Sequence, residues 1–90
     1  MRYAIPEYVS WFSFGDEVVL VDTRRGRRSQ LNEAGAQLWQ ELGNGADEST
    51  LVERLAPLAD GSLAETRDYV REWAQALVRA RLLYIMEDGR

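Results

Sequence analysis

The pattern of apolar and polar residues in the first half of the chain predicts short β-strands separated by turns. Val9 to Phe14 is rich in β-branched and aromatic residues and ends at Gly15-Asp16, where glycine in the first central position favours a two-residue type II′ hairpin turn. Glu17 to Asp22 is therefore expected to pair antiparallel with it. Four consecutive apolar residues there predict a central strand, covered on both faces for part of its length. A third strand, Arg27 to Leu31, follows the connection Thr23 to Gly26.

The second half of the chain has helical spacing. Asn32 is a favourable N-cap for a first helix, which is expected to stop at Gly43-Asn44-Gly45. A second helix is expected to start at Asp47 or Ser49. Its regular hydrogen bonding should end near Pro57, because proline has no N–H to donate.

The third predicted helix is the longest, from about Leu63 to Arg79 or Arg81. Its apolar face is wider than packing on a single partner requires, because two stripes adjoin one another. Leu82 to Met86 is expected to form a short final strand or an extended tail. The first stripe contains Val70, Trp73, Ala74 and Leu77, and the second contains Tyr69, Trp73, Ala76 and Ala80.

These elements predict an α+β fold with an N-terminal three-stranded antiparallel sheet followed by three helices, which is a winged-helix-like arrangement. Ninety residues are expected to make one domain, residues 1–90. Because 46% of the residues are hydrophobic, including three Trp, the chain can fill a small core unaided. We expect a monomer.

The residue types argue against catalysis. The chain contains no Cys and no His, so it lacks thiol nucleophiles, thiolate metal sites, and the commonest general base and metal ligand. Asp68 and Glu72 lie four residues apart on one helix face, but Arg67 and Arg71 flank them, and a solvated charged face explains them better. We predict a protein that is not an enzyme and uses no cofactor or metal ion.

The N-terminal residues lack the charged start and apolar run of a signal peptide. No apolar segment approaches the roughly 18 residues that a membrane helix needs. The sequence thus predicts a soluble, cytoplasmic protein without a membrane partner.

Charge is distributed unevenly along the chain. The net charge is −4, yet Arg24 to Arg28 holds four of the eleven basic residues, all of which are arginine. Since arginines contact phosphates, a winged-helix-like nucleic-acid-binding or regulatory adaptor is one alternative function. Against it, the predicted second helix carries Arg54 alone beside Asp47, Glu48 and Glu53, which is a poor recognition helix. A solvated turn also explains the arginines.

The third predicted strand is unusual because its only large apolar residue is Leu31. Its period of two places Arg27, Ser29 and Leu31 on one face and Arg28 and Gln30 on the other. No segment of the sequence obviously covers its far side. We therefore interpret this strand as a docking edge.

Three segments carry a resemblance to a known family: Val19 to Asp22 (VLVD), Gly26, and Leu31 to Trp39 (LNEAGAQLW). They resemble the PqqD-like precursor-peptide recognition proteins, whose pattern has a strand ending in Asp, a Gly turn, Leu-Asn and a small residue three positions later. Here that residue is Gly35. In size and N-terminal hairpin the chain is most similar to the stand-alone recognition proteins of lasso peptide biosynthesis.

The resemblance implies a function and a site. In that family the leader of a ribosomally made precursor lies as an extra antiparallel strand along the third strand and sets side chains against the third helix. The leader, which typically offers a Tyr-x-x-Pro segment, is then presented to a leader peptidase and a cyclase. The peptide-binding residues implied here are Arg27, Arg28, Ser29, Gln30 and Leu31 on the strand, and Asp68, Tyr69, Glu72, Trp73 and Ala76 on the helix.

Several points stay open at this stage. Tyr69 and Trp73 could belong to the core or to the groove. Arg28 and Ser29 occupy positions that are often aromatic in the family, so the groove floor is expected to be deeper or more polar. Arg81 replaces a common glycine, which leaves the end of the third helix undecided. A structural interaction module, fused or bound to an enzyme, is a further alternative.

Overall fold

The computed structural model describes residues 1–43 and 45–86, which form two small antiparallel sheets and three α-helices. The α+β class, the N-terminal three-stranded sheet and the three helices that follow it are confirmed. One sheet has the order β2-β3-β4 and the other the order β5-β1-β6. The elements are β1 (Arg2–Ala4), β2 (Val9–Phe14), β3 (Glu17–Asp22), β4 (Arg27–Leu31), α1 (Glu33–Gln40), β5 (Ala46–Asp47), α2 (Glu48–Leu55), a 3₁₀ turn (Ala56–Leu58), α3 (Leu63–Arg79) and β6 (Tyr84–Met86).

Two glycines set the register of the β2-β3-β4 sheet. Gly15 has a φ of 56° in the two-residue turn that joins Phe14 to its partner Glu17, as the hairpin prediction requires. Gly26 has a φ of 69° at the end of the β3–β4 connection. With both turns fixed, Leu31 at the end of β4 lies opposite Val18 of β3.

The second sheet is a feature that the sequence pattern did not predict. No strand was predicted before Val9, whereas Arg2–Ala4 is a strand that pairs with both β5 and β6. β5 has two residues and the other two strands have three, which is too short for a period of two to become visible. Of the two expectations for the segment after α3, the short final strand is the correct one.

The helices begin and end close to their predicted positions because their caps are strong. The Asn32 side chain accepts a hydrogen bond from the Gly35 N–H, and Asp47 accepts one from Thr50. Ser62 and Glu65 form a capping box at the start of α3, which satisfies two N–H groups reciprocally. The predicted stop of the first helix falls partly on residue 44, outside the described residues.

The core lies between the helices and the inner face of the β2-β3-β4 sheet, where Leu20, Leu38 and Val70 have no exposed surface. Trp11 packs edge-on against Trp39, with ring centroids 5.7 Å apart. The outer face of the β2-β3-β4 sheet is less covered than expected, since the sequence predicted a central strand covered on both faces for part of its length. Val19 and Val21 are only half-buried there among the described residues, because the helices all pack on the inner face. In the described part of the chain, no helix combines the length and apolar character needed to cross a membrane.

Arg81 ends α3 in a conformation that arginine rarely adopts. Its φ is 65°, in the left-handed region, and its N–H donates to the carbonyl of Val78 at 3.0 Å. The N–H of Leu82 donates to the carbonyl of Leu77 at 2.9 Å. These two bonds make a Schellman motif, whose left-handed position is usually glycine. The helix therefore ends at Arg79, and the question left open by the sequence is answered.

Replacing Arg81 with Gly should stabilise the fold. A left-handed non-glycine residue costs roughly 1 to 2 kcal/mol, and glycine loses about 0.5 to 1 kcal/mol more backbone entropy. The expected net gain in the free energy of unfolding is therefore roughly 0.5 to 1 kcal/mol, measured by urea denaturation. Arg81→Ala is the control, since alanine keeps the strain. Equal stability of the two variants would show that the conformation is not strained.

Candidate functional site

The candidate site begins at the outer edge of β4. β4 is the last strand of its sheet, so within residues 1–43 and 45–86 nothing pairs with this edge. Only Leu31 is buried, while the other four residues of the strand are exposed. An exposed edge presents unpaired N–H and C=O groups to any extended chain. The backbone of β4 is thus available for docking.

Trp73 of α3 stands beside the end of this strand. A Cβ built on Gly35 would lie 3.0 Å from Nε1 of Trp73 and 3.3 Å from Cβ of Leu31. A side chain at position 35 would therefore require the indole or Leu31 to shift by a few tenths of an ångström. Trp73 is partly buried and packs on the core, and its Nε1 is buried with no hydrogen-bond partner among the described residues. One side of Trp73 therefore packs on the core, and its exposed side borders the surface next to β4.

Tyr8 holds the other end of α3 near the turn between β3 and β4. Its hydroxyl donates to the carbonyl of Arg81 at 2.9 Å, and the Arg24 guanidinium lies 3.4 Å above its ring. The Thr23 hydroxyl donates to the Tyr8 carbonyl at 2.8 Å. The C-terminal end of α3 is therefore next to the start of β4, and its middle is next to the end of β4.

α3 and β4 run alongside each other without packing together over their length. From Trp73 to Ala80 the helix rises about 10 Å, and from Leu31 to Arg27 the strand spans about 13 Å. We call the surface between these two stretches the β4–α3 groove. Its limits are Arg27–Leu31 on one side and Tyr69, Trp73, Ala76 and Ala80 on the other.

The helix side of the groove is the second apolar stripe. Val70, Ala74 and Leu77 face the core, whereas Tyr69 is 40% exposed and Ala76 is also exposed. At about 100° per residue these exposed positions form one flank of the helix. Glu72 adjoins that flank, and Asp68 lies further towards the solvent side. Of the predicted helix residues, the structure brings Tyr69, Trp73 and Ala76 together most closely.

A cavity of about 270 Å³ lies beside Tyr69. Its wall is mostly apolar and includes Leu58, which is 61% exposed. Sequence reasoning missed this cavity because its residues come from α1, from the end of α2 and the segment after it, and from the first half of α3. The lining residues are Ala34, Leu55, Leu58, Ala59, Gly61, Glu65, Thr66 and Tyr69.

Asp22 orders the turn at the other end of the groove. Its carboxylate accepts hydrogen bonds from the N–H groups of Arg24 at 2.9 Å and Arg25 at 3.3 Å, and pairs with the Arg24 side chain at 3.5 Å. Burial raises the pKa of Asp22, but these hydrogen bonds and the Arg24 charge outweigh it and hold the pKa below its ordinary value of 3.8. An ionised Asp22 therefore fixes the shape of the turn.

The groove offers three things: backbone groups along one side, apolar and aromatic surface along the other, and an apolar cavity at one end. Together these features suit an extended peptide with apolar side chains. Sequence reasoning also missed Tyr8, and it placed Ala80 on the second apolar stripe without counting it among the peptide-binding residues. Tyr8 could not be found because its contacts with Arg24 and Arg81 join parts of the chain that are distant in sequence.

Comparison with known proteins agrees with this architecture. A family model described as "Coenzyme PQQ synthesis protein D (PqqD)" matches residues 17–83, from the start of β3 to the residue before β6. The match includes β4, α3 and the turn between β3 and β4. None of the curated proteins matches the chain.

Two solved structures share the fold. One, described as "TbiB1 in Complex with the TbiA(beta) Leader Peptide", has a TM-score of 0.85 and 24% sequence identity, over 94% of this chain and 99% of that chain. The other, described as "Lasso peptide synthetase B1 complexed with the leader peptide", has a TM-score of 0.82 and 18% identity, over 92% of this chain and 98% of that chain.

Replacing Gly35 with Ala should displace Trp73. The added methyl group would overpack the contact, at a cost of about 1 to 3 kcal/mol, which exceeds the roughly 1 kcal/mol that alanine gains in a helix. Gly43→Ala is the matched control, because no atom lies within 4 Å of its Cβ position. We expect a lower free energy of unfolding for Gly35→Ala alone, measured by urea denaturation. Equal stability would mean that the indole moves aside without cost.

Proposed function

The chain belongs to the PqqD family, and from this membership and the β4–α3 groove we propose that it binds the leader of a ribosomally made precursor peptide. The leader adds as an antiparallel strand to β4 and sets its side chains against α3. The protein acts without catalysis and without a cofactor. The observation that carries the proposal is the unpaired edge of β4 lying across the groove from the exposed apolar stripe of α3.

Backbone pairing alone gives too little affinity. A docked strand of about five residues makes about four hydrogen bonds, each worth roughly 0.5 to 1.5 kcal/mol, while ordering the peptide costs about 1 to 2 kcal/mol per residue. Micromolar binding corresponds to about 8 kcal/mol. Large apolar side chains of the leader must therefore supply the difference, at roughly 1.5 to 3 kcal/mol for each one buried.

Tyr69, Trp73 and the cavity beside Tyr69 provide the surface for such anchors. Trp73 is already half-buried by the core, so its exposed side is held in place before any peptide arrives. A pre-formed wall lowers the ordering cost on the protein side. We infer that the apolar anchors of the leader dock at this end of the groove.

We further propose that the bound leader is presented to a leader peptidase and a cyclase in lasso peptide biosynthesis. The support is the family resemblance in sequence, together with two structures of the same fold whose descriptions name leader peptides, one of them a lasso peptide synthetase B1. A groove open to solvent along its length leaves the remainder of the precursor accessible to such enzymes.

Fluorescence anisotropy tests the proposal directly. The probe is a labelled peptide with a Tyr-x-x-Pro segment, and its controls are a Tyr-to-Ala version and a random duplex DNA. Saturable binding of the first peptide alone is expected. Binding of the duplex alone would move the function to the Arg24 to Arg28 patch and reject leader recognition.

Replacing Tyr69 with Ala should weaken peptide binding by about 10-fold to 100-fold, because it removes one apolar contact surface worth roughly 1.5 to 3 kcal/mol. Tyr84→Ala is the matched control, since Tyr84 has similar exposure but lies on β6 of the other sheet. Anisotropy measures both affinities, and circular dichroism checks the fold. Wild-type affinity in a folded Tyr69→Ala variant would exclude Tyr69 from the site.

Proline substitutions at Arg28 and Ser29 should affect different properties, one of them peptide binding and the other stability. Neighbouring strand residues point their N–H groups to opposite sides, so one of them donates to β3 and the other faces the open edge. Proline at the outward position should abolish peptide binding and leave the fold intact, whereas proline at the inward position should lower stability. Thermal unfolding and anisotropy together separate the two. If both variants fold and bind normally, strand addition is wrong.

A further inference from the structure

The β4–α3 groove has a basic end. It lies where Tyr8 joins the β3–β4 turn to the C-terminal end of α3. Six of the eleven arginines of the chain lie on the turn, on the first half of β4 or at the last turn of the helix. They are Arg24, Arg25, Arg27, Arg28, Arg79 and Arg81.

Most of these arginines are in no ion pair with another described residue. Arg24 is engaged by Asp22 and by the Tyr8 ring. The other ion pairs of the described chain join Arg54 to Glu41 and Arg71 to Glu48, both away from this end. The remaining five arginines are exposed and have no carboxylate within ion-pair distance among the described residues. The ordered turn thus presents a fixed group of positive charges.

The opposite end of the groove is acidic. Glu65 lines the cavity beside Tyr69, and Glu33 lines an adjoining cavity at the start of α1. Asp68 and Glu72 are exposed on α3, and neither is in an ion pair of the described chain. The groove therefore has a charge gradient along its length, from positive at the start of β4 to negative at its end.

We propose that this gradient selects precursors with basic residues before the docked segment and acidic residues after it. β4 runs from the basic end to the acidic end, so a strand added antiparallel to it runs from the acidic end to the basic end. The residues that follow the docked strand then meet Arg25, Arg27 and Arg28. This inference rests on the proposed function, which already sets the antiparallel direction, and adds the charge pattern of the peptide.

The gradient should contribute more to selection and orientation than to raw affinity. Exposed charge pairs are individually weak, and salt screens them over a Debye length of about 10 Å at 0.1 M. Several pairs acting together should give about a tenfold preference at low ionic strength. Most of that preference should disappear in 1 M salt.

Two peptides with identical composition test the proposal. Both contain the same central Tyr-x-x-Pro segment; one has three Lys before it and three Glu after it, and in the other the two flanks are exchanged. Anisotropy of the labelled peptides, at low and at high salt, gives the ratio of affinities. About tenfold tighter binding of the first peptide at low salt supports the proposal.

Two charge-reversal variants test whether the basic turn causes the preference for the first peptide. Arg25→Glu should reduce the preference severalfold, because Arg25 is exposed in the basic turn. Arg67→Glu changes the net charge equally but lies in α3 beside Ser49 and Glu53 of α2. It should leave the preference unchanged. If both variants lose the preference for the first peptide equally, the preference depends on net charge, and a local gradient is rejected.

Each of the other possible results would contradict the inference, and one of them would also contradict the proposed function. Equal affinity of the two peptides overturns the gradient while leaving leader docking intact. Tighter binding of the exchanged peptide means that the segment docks in the parallel direction, which overturns the inference. If neither peptide binds, the proposed function fails and the inference fails with it.

Discussion

The position of α3 beside β4 is the constraint on which the groove depends, and two contacts fix it. At one end the Trp73 indole lies close to Gly35, which also adjoins Leu31, and at the other the Tyr8 hydroxyl donates a hydrogen bond to the carbonyl of Arg81. Between these contacts the helix packs mainly on α2 and leaves β4 uncovered. Both contacts lie at the ends, so they place the helix beside the strand without covering the free edge of the strand.

An uncovered strand edge is normally a liability, since it can pair with another copy of itself. Here β4 has five residues, of which Arg27 and Arg28 are charged, and two copies brought edge to edge would bring these like charges together. The same arginines leave the backbone available to a peptide of opposite charge. Short length and positive charge thus discourage self-association while permitting docking.

The elements that were predicted correctly are those with local signals in the sequence. Gly15 and Gly26 at left-handed positions define the hairpins, and Asn32 caps the first helix, so the β2-β3-β4 sheet and α1 could be predicted. The second sheet could not, because its strands are too short to show a period. Tyr8 escaped notice because its importance lies in contacts with Arg24 and Arg81, which only the folded chain brings together.

Trp73 shows why the sequence could not assign each aromatic residue to core or groove. At helical spacing it belongs to both apolar stripes, and in the structure it is partly buried, packed against the core and close to Gly35. Removing it would therefore disturb packing and recognition at once. Tyr69, 40% exposed beside a cavity, is the residue whose loss reports on recognition with less disturbance of the core.

The two ends of the groove differ in what they can contribute. The end near Tyr69 and Trp73 has aromatic surface and a cavity, so it can bury large side chains and supply affinity. The end near Arg27 has small side chains on the helix, Ala76 and Ala80, with exposed arginines opposite, so it buries little and acts through charge. A peptide anchored at the first end is then oriented by the second. On this view affinity and direction are set by different residues and can be changed separately.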